Sequence, residues 1–62
     1  MNVNKLKCLM GENDHTRKFI AKRLGITPSG LQKKLNGKSE FKASEIKILA
    51  DLYKVSVDYF FN

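Results

Sequence analysis

The sequence predicts an all-α domain of five short helices, and three observations lead there. Apolar residues recur at helical spacing in successive stretches, as in Leu6, Leu9 and Met10. Helix punctuation separates those stretches: Gly11, Gly25 and Asn36-Gly37 as stops, Thr16, Thr27-Pro28 and Ser56 as starts. Five such segments in 62 residues leave no room for a sheet, and no linker, repeat or composition break divides them. The expected unit is therefore one domain spanning residues 1–62. Folding a chain of this size hides only about 60% of the surface exposed when unfolded, so its core must be economical.

Each element has its own grounds. The first helix carries Leu6, Leu9 and Met10 on one face, starts at Asn2 or Asn4, and ends at Gly11 before the polar run Glu12–His15. Thr16 caps a second helix whose buried face is Ile20, Ala21 and Leu24, and Gly25 stops it. Thr27-Pro28 is the strongest local signal. Pro at the first helical position lacks only an N–H that would be unpaired there anyway. Leu31 and Leu35 mark the buried side of this third helix. After a polar loop through Glu40, a fourth stripe follows: Ile46, Leu49, Ala50 and Tyr53, with Ile48 and Leu52 beside it and Lys54 closing. Ser56 caps a last short element containing Val57, Asp58, Tyr59 and Phe60. Tyr53 and Phe60 are expected in the core, Cys8 part-buried and His15 in a loop.

Composition excludes several classes. One cysteine builds no disulfide framework, and a reducing cytoplasm fits it. No apolar run approaches the ~18 residues of a membrane span. A cationic membrane-active peptide is ruled out because the basic residues do not share one helix with a broad apolar face. There is no phosphate-cradling glycine loop, no nucleophile–base set, no paired carboxylates and no metal-ligand spacing around His15. The chain is therefore not read as an enzyme, and no cofactor, metal or small-molecule ligand is expected.

Charge is the unusual property. The net charge is +6, and it is lopsided. Residues 1–38 hold nine basic side chains against Glu12 and Asp14, a balance of +7, whereas residues 39–62 hold three against four acids, a balance of −1. Such asymmetry presents one basic face to a polyanion.

The second and third helices are joined by Gly25-Ile26-Thr27, the connection of a helix-turn-helix whose second helix enters the DNA major groove. Small Ala21 lets the helices approach, Gly25 turns sharply, and Ile26 and Leu31 pin the third helix. The stretch TRKFIAKRLGITPSGLQKKLNGK, together with the ending LADLYKVSVDYFFN, resembles the phage repressor and Cro-type helix-turn-helix family, also called XRE. That resemblance covers about Leu6 to Phe61. It implies a compact five-helix, lambda-repressor-like domain, cytoplasmic, that binds palindromic operator DNA as a homodimer and regulates transcription.

Position by position, the resemblance implies base contacts from Pro28, Ser29, Gln32 and Lys33. It implies phosphate contacts from Arg17, Thr27, Asn36, Lys38 and Lys42. Chemically, Gln32 can present its amide bidentately to adenine, Lys33 can donate to guanine, and Pro28 suits a thymine methyl. The dimer is expected to be weak and completed on DNA, through Val57, Tyr59 and Phe61, with half-sites about 34 Å apart. Lys5, Lys7, Lys22, Arg23, Lys47 and Lys54 read as a solvated face.

Departures from the family pattern are specific. Arg17 stands where Gln is frequent, and Gly30 replaces a larger residue. Met10 and Leu35 replace an Arg–Glu ion pair, which predicts a Met–Leu contact. His15 replaces Leu, with a loss of buried apolar area. Phe19 and Ile48 replace polar residues, which leaves two alternatives: repacking, or an exposed apolar patch. Two other readings follow. With Phe19, Ile48, Leu52 and Phe61 as a contact surface, the fold would serve as a protein-interaction module of antirepressor or antitoxin type. A third reading is that these residues are the N-terminal piece of a longer repressor or an antitoxin.

Overall fold

The computed structural model describes all 62 residues. It contains α1 (Val3–Glu12), α2 (Arg17–Leu24), α3 (Pro28–Leu35), α4 (Ala43–Tyr53) and a C-terminal 3₁₀ turn, Val57–Phe61, with no strand. The fifth expected helix is thus corrected to a 3₁₀ turn. Five residues, one β-branched and three aromatic, are too few and too poor as helix formers to propagate an α-helix. Ser56 begins it without a side-chain cap bond; only its carbonyl acts, accepting from the Tyr59 N–H at 3.1 Å.

The other starts follow the sequence. Asn2, rather than Asn4, caps α1, its Oδ1 accepting from the backbone of Asn4 at 3.1 Å and Lys5 at 3.4 Å. Thr16 Oγ1 accepts from the Phe19 N–H at 3.1 Å, and Thr27 Oγ1 from the Gly30 N–H at 3.0 Å. At α4 the cap is one-sided. Glu45 Oε1 accepts from the Lys42 N–H at 2.8 Å, and Lys42, having no acceptor, cannot reciprocate.

The four helices end alike. Each is followed by a left-handed residue: Asp14 (φ 54), Gly25 (φ 72), Gly37 (φ 78) and Lys54 (φ 56). The next residue then bonds back across the turn: His15 to the Met10 carbonyl (2.8 Å), Ile26 to Ala21 (3.0 Å), Lys38 to Lys33 (2.9 Å) and Val55 to Ala50 (3.0 Å). Helix α1 therefore does not stop at Gly11. It runs to Glu12, because the left-handed position falls on Asp14 and the Asn13 side chain donates to the Leu9 carbonyl at 2.8 Å.

Every element feeds one core: Leu6 and Met10 of α1, Ile20, Ala21 and Leu24 of α2, Leu31 and Leu35 of α3, Ile46, Leu49 and Ala50 of α4, and Phe60. Met10 and Leu35 are buried in this same cluster, as expected where an ion pair is replaced by apolar residues. Leu9 and Tyr53 are only half-buried. Cys8 is exposed, contrary to expectation. It lies two positions from Leu6, about 200° round the helix, and so points away from the core.

His15 is more than a loop residue. Its Nδ1 lies 2.7 Å from the Tyr53 hydroxyl, and its ring packs on Phe19 with centroids 4.5 Å apart. A polar bond and an aromatic contact thus occupy the place of the apolar burial expected to be lost there. Burial pushes the Tyr53 phenol above its ordinary value near 10. Phe19 remains 39% exposed, while Ile48 is half-buried against the core. The ends of the fold are sewn together: the Asn2 N–H donates to the Phe60 carbonyl, and Lys5 Nζ sits 4.6 Å above the Tyr59 ring. No helix is long and apolar enough to cross a membrane.

Candidate nucleic-acid interface

Helix α3 packs principally on α2 across the Gly25–Thr27 turn, with Leu31 and Leu35 facing inward. At 100° per residue, Pro28, Ser29, Gln32, Lys33 and Asn36 then share an arc of about 140° that begins beside Leu35, at Pro28, and runs round to Lys33, opposite the apolar stripe. Pro28, Ser29, Lys33 and Asn36 are exposed and Gln32 is half-buried. The structure thus brings all four candidate base-contacting residues onto one outward surface.

Two of the side chains there are already organised. Gln32 Nε2 donates to Asn36 Oδ1 at 3.0 Å. That bond leaves Gln32 with a free Oε1 acceptor and one N–H donor, the pair adenine requires, and leaves both Asn36 N–H groups for a phosphate. Thr27 Oγ1 is used as an acceptor in the cap, so its hydroxyl hydrogen can still be donated outward. Gly30 serves this cap. A Cβ built there would lie 3.2 Å from Thr27 Oγ1, closer than ordinary contact.

The candidate phosphate residues flank the arc. Lys38 follows left-handed Gly37 and is exposed, and Lys42 is exposed at the start of α4. Arg17 opens α2, exposed, where unpaired helix N–H groups reinforce its positive charge. It lines a shallow concavity with Lys7, Thr16 and His15, over Met10 and Leu35. Lys7, exposed as expected, thus lies on the same surface as Arg17.

One basic residue leaves the face instead. Lys34 Nζ lies 3.3 Å from Glu45 Oε1 and donates to the Glu40 carbonyl at 2.9 Å, with its side chain 10% exposed. Its charge is spent inside the molecule, so the basic half presents one cation fewer than the sequence suggests. Of the candidate dimer residues, Val57 and Phe61 are 37% and 57% exposed, whereas Tyr59 is half-buried between Lys5 and the edge-on Phe60 ring.

Neither the curated proteins nor the solved structures give a significant match. The family model described as "Helix-turn-helix" matches residues 6–60. That span runs from the first core residue, Leu6, to the last, Phe60, and includes the whole α2–turn–α3 unit. On this match and this geometry, the chain belongs to the Cro/XRE-type helix-turn-helix family of DNA-binding regulators.

Proposed function

We propose that the chain is a transcriptional repressor of the Cro type, which inserts α3 into the major groove of a palindromic operator and acts in the cytoplasm as a homodimer. The observation that carries this reading is the outward arc of α3. Its polar groups, from Ser29, Gln32, Lys33 and Asn36, have no partner elsewhere in the fold beyond the Gln32–Asn36 bond, while exposed Arg17 and Lys38 flank them. Pro28, Ser29, Gln32 and Lys33 read base edges; Arg17, Thr27, Asn36, Lys38, Lys42 and also Lys7 address phosphates. Val57 and Phe61, the most exposed apolar residues of the C-terminal turn, carry the two-fold contact, with Tyr59 behind them.

Selection from a random duplex library at about physiological salt, where sequence-independent binding is weak, tests the proposal. The expected product is a palindrome with half-sites about 34 Å apart. A single half-site would remove the homodimer from the reading. No enrichment by a folded helical protein would refute DNA reading altogether. Charge reversal at Arg17→Glu and Lys38→Glu should abolish binding without unfolding the chain, since both positions are exposed.

A further inference from the structure

Apolar packing holds α3 against the core through Leu31 and Leu35, but such contact is non-directional and fixes the helix's rotation less sharply than a hydrogen bond does. A directional restraint exists on one flank only. There Lys34 reaches Glu45 Oε1 at 3.3 Å and the Glu40 carbonyl at 2.9 Å, and the same Glu45 oxygen accepts from the Lys42 N–H at 2.8 Å. Three segments meet at this knot: α3, the loop that follows it, and the first turn of α4. It is almost dry, with the two side chains 10% and 6% exposed. Lys34 stands beside the inward stripe, on the side of α3 facing away from the Pro28–Asn36 arc.

We infer that Glu45, acting through Lys34, is a positioning residue that sets the rotation of α3 and the path of the loop carrying Lys38 and Lys42. This rests on the DNA-reading function proposed above. Buried ion pairs are poor sources of stability, since well-packed apolar replacements commonly do as well. What the pair supplies is direction. It ties the base-reading arc and the phosphate-contacting loop to a single point on α4, so the two sets of groups hold a fixed spacing. Lys34 itself does not touch DNA.

The test compares binding to the selected duplex with binding to a scrambled duplex of equal length, over a salt series. Wild type, Lys34→Arg and the double variant Lys34→Met/Glu45→Gln are measured. The double variant leaves no buried charge unpaired and keeps an acceptor for the Lys42 N–H. It should fold cooperatively, keep the wild-type salt slope, and lose about tenfold in the selected-to-scrambled ratio. Lys34→Arg, which can still reach the carboxylate, should recover most of that ratio. An unchanged ratio in a folded double variant would overturn the inference. So would equal losses on both duplexes with a slope reduced by about 0.9, the mark of a lost phosphate contact. Failure of the double variant to fold would also overturn it, because the pair would then hold the fold rather than aim the helix. If wild type itself prefers no duplex, the DNA-reading proposal fails before any variant is made.

Discussion

The α2–α3 pair and the α1–α4 scaffold terminate their helices with the same backbone geometry but different residues. Gly25 and Gly37 take the left-handed position after α2 and α3; Asp14 and Lys54 take it after α1 and α4. The long-range ties differ as well. Thr16 and Thr27 each cap their own helix within three residues. Asn2 and Glu45 cap α1 and α4 just as locally, but the scaffold is also tied by distant partners, Asn2 with Phe60, Lys5 with Tyr59 and His15 with Tyr53, while Lys34–Glu45 ties α3 to it. The half that presents the proposed DNA-reading surface is therefore specified mainly by local signals, with Lys34–Glu45 as its tie to α4. The half that supports it tolerates backbone strain and depends on tertiary closure.

Substitutions can break this contrast or sharpen it. The largest effect should come from Phe60→Ala. Phe60 is fully buried at the point where the C-terminal turn meets the core, and its truncation should cost about 3–5 kcal/mol. Denaturant unfolding measures that loss. A persistent, protected α2–α3 pair in the variant would make the contrast absolute, whereas global loss would show that local specification still needs the scaffold.

Gly25→Ala should cost about 1–2 kcal/mol. Nothing lies within 4 Å of the added Cβ, so the loss is purely conformational. Lys54→Gly is the mirror experiment and should stabilise by about 1 kcal/mol, since it relieves a left-handed side chain at a position that favours glycine. Opposite signs at geometrically matched helix ends, read by thermal unfolding, would sharpen the comparison. Equal signs would break it.

Tyr53→Phe, which loses the bond to His15, should cost about 0.5–1.5 kcal/mol near neutrality. Its alkaline behaviour is more telling. Because burial raises the phenol's pKa in the folded state, the folded chain keeps a proton that the unfolded chain releases above pH 10. Stability therefore falls as pH climbs from that point through the folded value. Replacement by Phe should flatten this part of the curve in a pH series of melting temperatures.

The same division explains what could be read in advance. Thr27-Pro28, Gly25 and the Leu31–Leu35 spacing are local signals, and α2, the turn and α3 follow from them residue by residue. So does the outward arc, because helical geometry alone places Lys33 opposite Leu31 and Leu35 and Gln32 on the flank between them. The rest lay in partners remote in sequence. Nothing near Lys34 distinguishes it from Lys33, yet an acid eleven positions later draws it inside. His15 was legible as a departure from its family, but its answer at Tyr53 was not. Cys8 could have been placed by counting around α1 from Leu6. Ser56 promises a cap that its side chain does not make, and the five residues after it are too few to carry an α-helix.

The bond between Gln32 and Asn36 has a thermodynamic consequence. A long side chain brought to rest at an interface loses rotational freedom worth about 0.5–1.5 kcal/mol. Gln32 is held by a neighbour one turn away before any DNA arrives, so part of that entropy is already gone in the free protein. Association then carries a smaller entropic penalty at the centre of α3. The two amides also respond as one body: removing Asn36 frees Gln32 to sample other rotamers, so on the proposed reading a phosphate-side substitution would blur the reading of a base.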